Sequence, residues 1–383
     1  MSSPHHLIPF NRPFLAGNET QYIQKAIALG KISGDGHFTQ RCHQFFQEKY
    51  HFSKVLLTVS CTAALEMCAL LLDIQEGDEV IMPAYTFVST ANAFVMQGAK
   101  IVFADSEAHT PNIDASKLES LITPRTKAIV VVHYGGVACD MDKIMALATK
   151  HNLYVVEDAA HAVDSFYKSK ALGGIGHLAT FSFHETKNII SGEGGMLVIN
   201  DPQFAKRAEI IREKGTNRSA FFRGEVARYN WVDIGSSYLP SDIIAAFLFA
   251  QLEHLQQIQQ KRVTLWQTYQ KELASLKKYG VQLPFIPDYA TCNGHLFHLV
   301  CRSLEERTAL ISFLKKHRIQ AVFHYLSLHQ SPFFQDRKQH DGRILEQSDR
   351  YSDCLVRLPL YYDLKVEEVR WIAGLVGDFY EHF

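Results

Sequence analysis

The sequence lacks any hydrophobic run long enough to cross a membrane, because no apolar stretch in its 383 residues approaches the roughly 20 that a spanning helix needs. It also lacks an excess of charge of either sign, since 39 Lys and Arg stand against 40 Asp and Glu, for a net charge of −1. A nearly neutral chain has no general attraction for nucleic acid or anionic lipid. We therefore expect no membrane insertion and no nucleic-acid partner.

Cysteine is scarce and scattered. The seven cysteines are odd in number and form no Cys-x-x-Cys pair, which argues against both a disulfide framework and a structural zinc site. The first residues, MSSPHHLIPFN, lack the basic and apolar segments of a secretory signal. These absences predict a cytoplasmic protein with reduced thiols and no metal centre, in which residues 1–6 form a loose extension.

Several familiar catalytic signatures are missing as well. HETKN at 184–188 has Asn188 where a zinc-protease helix needs its second histidine. GEGG at 192–195 fits neither a Walker loop nor a dinucleotide-binding fingerprint, and no Gly-x-Ser-x-Gly nucleophile elbow occurs. The chemistry must therefore come from another set of residues.

The sequence does contain short apolar strands that alternate with helix-forming stretches. These strands are expected at 55–59, 79–82, 100–104, 128–132 and 153–156. Strands that are apolar on both faces are typical of a parallel sheet covered by helices on both sides. We predict an α/β fold with a mostly parallel central sheet in a large domain at 8–250. A long helix over 241–273 would then bridge to a smaller α+β C-terminal domain, so that the second unit covers 251–383.

Two segments could bind an anion. The strand at 55–59 leads through a small polar turn into a helix, and free N–H groups at a helix N-terminus attract phosphate. Ser60 or Thr62 could equally be a simple helix cap. The glycine-rich loop at 30–36 could cradle a phosphate through its backbone or merely connect two helices.

Three further residues stand at positions where a ligand could bind. Phe87 lies at a strand-to-helix junction, where its ring could stack on a flat ligand or simply enter the core. Asp158 follows the strand at 153–156, and ligands of parallel sheets bind at the carboxyl ends of strands; the alternative is a helix-capping role. Lys187 lies in a polar patch between two strands, either as a Schiff-base nucleophile or as a surface charge.

Taken together, these features are what pyridoxal phosphate requires: a lysine, an aspartate for the pyridine nitrogen, a helix N-terminus for the phosphate and an aromatic ring cover. Their order resembles the fold-type-I sugar aminotransferases of the DegT/StrS type, which place amino groups on nucleotide-linked keto sugars. The motifs that carry the resemblance are SCTAAL at 60–65, PAYTFVSTANA at 83–93, VVEDAAHA at 155–162, FSFHETKN at 181–188, GEGG at 192–195 and SSYLPSDIIAA at 236–246.

The resemblance implies a fold-type-I PLP-dependent transferase in which pyridoxal 5′-phosphate is bound covalently to Lys187 as a Schiff base. It makes Lys187 the catalytic residue and Asp158 the partner of the pyridine nitrogen. His161 stands where the family often has Gln, and Ser237 replaces an Asn that many members contribute across a dimer interface. The implied cofactor contacts are Cys61, Thr62, Ala63, Phe87, Asp158, His161, Ser182, Lys187 and Ser237.

For the substrates, the resemblance implies L-glutamate as amino donor and dTDP-4-keto-6-deoxy-D-glucose as acceptor, aminated at C4 by a homodimer with shared sites. The implied sugar-nucleotide contacts are Asn11, Arg12, Lys31, Ser33, Asp35, His324, Tyr325 and His329. The cation that meets the glutamate carboxylate is left open among Arg12, Arg218 and Arg223. Alternatives are a 3-keto or UDP-linked sugar, a non-catalytic regulator that binds the cofactor, or a dehydratase, although the dehydratases of this family have histidine in place of Lys187.

Overall fold

The computed structural model describes residues 6–336 and 342–382. Within these ranges, no helix is both long enough and apolar enough to cross a bilayer. The strands are β1 (Lys54–Thr58), β2 (Glu79–Pro83), β3 (Lys100–Ala104), β4 (Thr126–Val132), β5 (Tyr154–Asp158), β6 (Phe166–Tyr167), β7 (Lys170–Ala171), β8 (Leu178–Ser182), β9 (Gly195–Ile199), β10 (Phe297–Val300) and β11 (Leu355–Leu358).

Thirteen α-helices pack around these strands in the described ranges. They are α1 (Glu19–Ala28), α2 (His37–Tyr50), α3 (Cys61–Leu71), α4 (Val88–Val95), α5 (Met141–His151), α6 (Ala205–Arg212), α7 (Arg218–Phe222), α8 (Asp242–Glu253), α9 (Leu255–Glu272), α10 (Leu304–Lys316), α11 (Pro332–Asp336), α12 (Glu346–Cys354) and α13 (Val366–His382).

Seven strands form the central sheet in the order β1-β9-β8-β5-β4-β2-β3. The pairs from β8 to β3 are parallel, whereas β9 runs antiparallel to both β8 and β1. The predicted mostly parallel sheet is therefore confirmed. Because β9 follows β8 in the chain and pairs with it antiparallel, their connection begins and ends at the carboxyl end of β8.

Alternate residues of each strand pack into two different cores, because successive side chains of a strand point to opposite faces. Ile129 and Val131 of β4 join the core formed with α2, α5 and α8, while Ala128 and Val130 join the core formed with α3, α4 and α6. Burial on both faces explains the unbroken apolar strands of the sequence. It also leaves the strand ends as the places where polar side chains can gather.

The helix predicted over 241–273 is interrupted. It divides into α8 and α9 at His254, whose backbone leaves the helical region at φ −103° and ψ 7°. Leu248 of α8 and the first turn of α9, with Leu255 and Ile258, pack with the central sheet. Leu265 and Tyr269, further along α9, pack with the C-terminal residues.

The C-terminal residues form a smaller layer around the antiparallel pair β10 and β11, covered by α9, α10 and α13. Ile8 of the lead-in belongs to this core and pairs with Ile319. The segment at 320–325 makes an isolated bridge between Val322 and Arg357. The domain limits at 8–250 and 251–383 stay a prediction.

A wholly buried hydrogen bond between a histidine and a carboxylate lies beneath the strand ends. His133 Nε2 is 2.9 Å from a Glu157 carboxylate oxygen, and the same carboxylate accepts backbone N–H bonds from Gly173, Ile175 and Gly176 at 2.6–2.8 Å. Burial alone would raise the pKa of Glu157, but these donors lower it overall. The pair fixes the end of β5, the strand that carries Asp158, against the loop before β8.

We predict that Glu157→Ala lowers the free energy of unfolding by about 3–5 kcal/mol, because it leaves buried donors without an acceptor. Since the folded pKa is depressed, this stabilisation is present at neutral pH and is lost as the pH falls through the folded value, so the difference from wild type should shrink in acid. Chemical denaturation at pH 7 and pH 4 measures both effects. Glu381→Ala, at an exposed position, is the control, and a loss below about 1 kcal/mol for Glu157→Ala would contradict the structural role.

Candidate active site

A cavity of about 600 Å³ opens at the carboxyl ends of the parallel strands, beside the N-terminus of α3. This is the edge at which ligands of parallel sheets bind. The predicted site residues that line it are Asn11, Cys61, Thr62, Phe87, Asp158, His161, Ser182, Lys187, His324 and Tyr325. The fold thus brings together residues from the lead-in, the central sheet and the C-terminal layer.

The first turn of α3 forms the anion-binding end of this cavity. Ser60 caps the helix, since its hydroxyl accepts the backbone N–H of Ala63 at 3.1 Å. Cys61 and Thr62 are the first helical residues, so their N–H groups have no partner within the helix and the helix dipole favours an anion there. Ala63 itself is buried, and its N–H is already used by the cap.

Gly195, the first residue of β9, passes unusually close to this turn. A Cβ atom at Gly195 would lie 2.2 Å from the carbonyl carbon of Ser60 and 2.4 Å from the backbone nitrogen of Cys61, so no side chain fits. Gly195 is paired with Ser182 across the hairpin and with Thr58 of β1. The last glycine of GEGG therefore permits the lysine-bearing hairpin to lie against the anion site.

Lys187 lies in the connection between β8 and β9. Its backbone N–H donates to the His184 carbonyl at 2.9 Å, and the adjacent Glu185 N–H donates to the Gly192 carbonyl at 2.9 Å, which fixes the turn. Burial lowers the pKa of the Lys187 amine to about 8, although the charge of Asp158 acts in the opposite direction. A substantial fraction of this amine is therefore neutral near pH 8 and able to act as nucleophile or base.

Asp158 is buried at the end of β5. One carboxylate oxygen accepts the Thr90 hydroxyl at 2.8 Å and the other accepts the Ala160 N–H at 3.2 Å, while Thr86 and Thr90 share a further hydrogen bond of 2.9 Å. Burial raises the pKa of this carboxyl even though Thr90, Ala160 and Lys187 oppose the shift. The carboxylate is thus only partly compensated and would be stabilised by a cationic ligand.

His161 presents a hydrogen-bond donor to the cavity. Its Nδ1 accepts the Gly135 N–H at 3.2 Å, so the neutral ring carries its proton on Nε2, which lies 3.3 Å from the Tyr325 hydroxyl. Burial, and then the charges of Lys187 and Arg357, hold the pKa of His161 well below its ordinary value. His161 is therefore a neutral donor, as its position in place of a Gln would require.

Phe87 presents its ring to the cavity and not to the core. Its side chain is 55% exposed, which is unusual for a phenylalanine beside a buried sheet. The ring centroid is 6.1 Å from that of Tyr325, which lines the same cavity. Ser182, at the end of β8, is buried beneath the same opening.

Other predicted residues lie outside this cavity in the same chain. Lys31 and Asp35 line a separate groove, where Asp35 forms a 2.7 Å ion pair with Arg212. Ser33 is exposed on the same loop. Ser237 is exposed and its backbone pairs with that of Glu213. Within one chain, therefore, the glycine-rich loop and Ser237 are not part of the lysine site.

His329, Arg218 and Arg223 also lie apart from Lys187, whereas Arg12 borders a neighbouring pocket. His329 is buried, with Nε2 3.5 Å from Asp349. Arg218 and Arg223 line the groove of Lys31. Arg12 lies at a small adjoining pocket that Lys187 also borders.

Sequence reasoning missed Thr90, His295 and Arg357. Thr90 lies within the PAYTFVSTANA motif, so the proximity of that motif to a strand end was a usable signal. His295 stacks on His161 with ring centroids 4.2 Å apart, and Arg357 lines the cavity from β11. Nothing local in the sequence separates these two from other residues, because their positions depend on how β10 and β11 dock onto the sheet.

The residues present fit pyridoxal phosphate. The cavity holds a buried amine of lowered pKa, an incompletely compensated carboxylate, a helix N-terminus and an open aromatic ring, which match the aldehyde, pyridine nitrogen, phosphate and ring face respectively. When bound, this cofactor supplies an electron sink for negative charge that develops at a substrate carbon.

Comparison with known proteins identifies the family. The sequence model of the DegT/DnrJ/EryC1/StrS aminotransferase family matches residues 13–376. The chain is 33% identical to the spore coat polysaccharide biosynthesis protein SpsC of Bacillus subtilis, over 98% of this chain and 97% of that protein. It is also 35% identical to an uncharacterised protein of Methanocaldococcus jannaschii, over 97% of this chain and 96% of that one.

Solved structures share this fold, and one of them contains the cofactor. A protein of Streptococcus pneumoniae assigned as a sugar aminotransferase, solved in its PLP form, superposes with a TM-score of 0.89 at 26% identity, covering 98% of this chain and 99% of that one. An aminotransferase of pseudoaminic acid biosynthesis from Helicobacter pylori superposes with a TM-score of 0.87 at 25% identity, covering 98% and 100%. The chain therefore belongs to the DegT/DnrJ/EryC1/StrS aminotransferase family and is a sugar aminotransferase with pyridoxal phosphate as its cofactor.

Proposed function

We propose that this enzyme transfers the amino group of L-glutamate to C4 of dTDP-4-keto-6-deoxy-D-glucose, giving dTDP-4-amino-4,6-dideoxy-D-galactose and 2-oxoglutarate. The observation that carries the transfer chemistry is the Lys187 amine in one cavity with Asp158 and the first turn of α3. The choice of sugar rests on the motifs, which resemble most closely those of dTDP-4-amino-4,6-dideoxygalactose transaminase. That resemblance would assign the product to enterobacterial common antigen or to lipopolysaccharide O-antigen synthesis.

In this proposal Lys187 moves the protons. Its amine, with a pKa of about 8, takes the proton from Cα of glutamate and later returns a proton to C4 of the sugar. Asp158, oriented by Thr90 and Ala160, would keep the pyridine nitrogen of the cofactor protonated. His161 donates from Nε2 into the cavity, and the N–H groups of the α3 first turn would hold the phosphate.

We also propose a homodimer with shared sites. Five large apolar residues between 222 and 234 are exposed in the single chain, among them Phe222 at 70%, Trp231 at 81% and Ile234 at 57%. Exposure of this kind on one segment is typical of a protein interface. Ser237 follows this segment directly, and the family resemblance is what assigns it to the cavity of the partner subunit.

A cytoplasmic location is part of the same proposal. All seven cysteines are free in the structure, and five of them are buried. Unpaired thiols are the usual state in a reducing compartment. The proposed substrates, glutamate and a nucleotide-linked sugar, would then be met in that compartment.

The first prediction concerns the substrates. The purified protein, incubated with glutamate and a panel of dTDP- and UDP-linked 3-keto and 4-keto sugars, should aminate C4 of the dTDP-linked sugar and release equimolar 2-oxoglutarate, as read by mass spectrometry and NMR. Lys187→Ala should abolish turnover, whereas the exposed-site variant Lys277→Ala should retain it. Preferred amination of a UDP-linked or 3-keto sugar would replace the proposed acceptor, and turnover by Lys187→Ala would refute the assigned lysine.

A second prediction tests the lowered pKa of Lys187. In cofactor-free protein, acylation of Lys187 by a limiting small reagent should rise with pH around a midpoint near 8, because only the neutral amine reacts. Peptide mapping by mass spectrometry at a series of pH values gives the midpoint. A lysine in an unstructured peptide, titrating near ~10.4, supplies the reference; a Lys187 midpoint at that reference value would contradict the burial argument.

A third prediction tests the shared site. If Ser237 acts at the cavity of the partner subunit, Ser237→Trp should lose activity, and mixing it with Lys187→Ala should restore activity, since a mixed dimer has one intact site. The matched control mixes Lys187→Ala with Asp158→Asn, whose lesions lie in the same cavity of one chain, and should recover nothing. Recovery in neither mixture, or full activity of Ser237→Trp alone, would contradict sharing.

A further inference from the structure

Arg357 introduces a positive charge into the active-site cavity. It lies in β11 and lines the same cavity as Lys187, Asp158 and His161. Its charge is strong enough there to lower the pKa of both Lys187 and His161. The reacting end of the site therefore experiences a guanidinium that the transfer chemistry described above does not use.

The guanidinium is incompletely satisfied. One terminal nitrogen donates to the Phe323 carbonyl at 3.2 Å, and the group lies 4.6 Å from the centroid of the Phe10 ring. Its Nε is buried without a hydrogen-bond partner, and no carboxylate of residues 6–336 or 342–382 is recorded in an ion pair with it. Burial also lowers the pKa of Arg357. A partly desolvated cation without a counter-ion is costly unless an anion joins it.

The backbone holds this charge at a fixed position. The Arg357 N–H donates to the Val322 carbonyl at 2.7 Å and its carbonyl accepts the Val322 N–H at 3.1 Å, while β10 pairs with it on the other side through His298. Hydrogen bonds on both sides of β11 leave only side-chain torsions free. An anion that binds Arg357 therefore does not have to order a loop, and avoiding that entropic cost favours tight binding.

The arginines considered from the sequence are already paired. Arg12 is 3.9 Å from Asp363, Arg218 is 3.4 Å from Glu213, and Arg223 bonds Glu209 at 2.8 Å. The last two also lie in the separate groove. Arg357 differs from all three because it combines a place in the lysine cavity with the lack of a carboxylate partner among the described residues.

We infer that Arg357 binds a carboxylate of the amino donor. The inference rests on the proposed function, in which glutamate delivers its amino group at Lys187. Glutamate carries a carboxylate one bond from the reacting carbon, whereas the diphosphate of the acceptor is attached at C1, across the sugar ring from C4. A guanidinium whose charge lowers the pKa of Lys187 is therefore better placed for the donor carboxylate than for the acceptor diphosphate. Its two parallel N–H groups also match the two oxygens of a carboxylate.

The two half-reactions test this separately. Absorbance changes of the PLP-loaded enzyme with increasing glutamate give the apparent Kd of the donor, and those of the aminated enzyme with the keto sugar give that of the acceptor. Arg357→Gln should raise the glutamate Kd roughly 10–100-fold, as expected for loss of charge-assisted hydrogen bonds, and leave the sugar Kd within about threefold. Arg357→Lys should be intermediate, because it keeps the charge but not the fork.

A binding measurement without turnover completes the design. Glutarate has both carboxylates of glutamate but no amine, and calorimetric titration of the PLP-loaded enzyme should show its affinity falling in Arg357→Gln. Arg370→Gln removes a surface arginine paired with Glu272 and should change none of these values. Cofactor retention, followed by absorbance after gel filtration, should equal that of wild type.

Each other result overturns the inference. An equal or larger loss for the keto sugar would assign Arg357 to the acceptor diphosphate, loss of the cofactor would assign it to the cofactor phosphate, and unchanged affinities would leave it without a ligand role. A wild-type enzyme inert toward glutamate would instead overturn the proposed function. The two failures are therefore distinguishable.

Discussion

The contact between the backbone of Gly195 and the turn that begins α3 is the constraint on which the site depends. At 2.2 Å from the Ser60 carbonyl carbon, even a methyl group would force β9 away. Because β9 is paired with β8, that shift would carry Ser182 and the Lys187 turn with it. Because Gly195 has no side chain, the N-terminus of α3, which can hold an anion, lies close to the Lys187 amine, which can react.

Around that contact, the cavity balances charges that would each be unfavourable alone. The pKa of Lys187 is lowered to about 8 and that of Asp158 is raised, both mainly by burial, and each shift is opposed by the other group. His161 is kept neutral by burial and by the nearby cations. A cofactor with a protonated ring nitrogen and an anionic phosphate would compensate the charges of Asp158 and of the α3 N-terminus. Binding of the cofactor would therefore also stabilise the folded protein.

Features of the fold and site that depend on residues close together in the chain could be predicted from the sequence, and those that depend on distant residues could not. Short stretches of sequence were enough to predict the parallel sheet and the site residues that lie at or just after its strands. These residues are Phe87, Asp158, Lys187 and the first turn of α3, and all of them line the cavity. Local patterns could not show that His254 divides the long helix, because apolar positions of the same core continue from α8 into α9 across it. Nor could they place Arg357, which reaches the cavity only when β11 pairs with β10 far from Lys187 in the chain.

The C-terminal layer therefore does more than cover the sheet. It contributes neutral donors, such as His324, which shares a 2.8 Å hydrogen bond with Tyr134, and one cation on a strand that is bonded on both sides. In the proposed reaction, the donor and the acceptor occupy one cavity in turn. In this layer, one fixed guanidinium beside neutral donors would favour the amino donor through its carboxylate. The sugar would be held by hydrogen bonds, so that one site can accept two unlike substrates. Selectivity for the donor would then lie in the docking of β11 and not in the lysine loop.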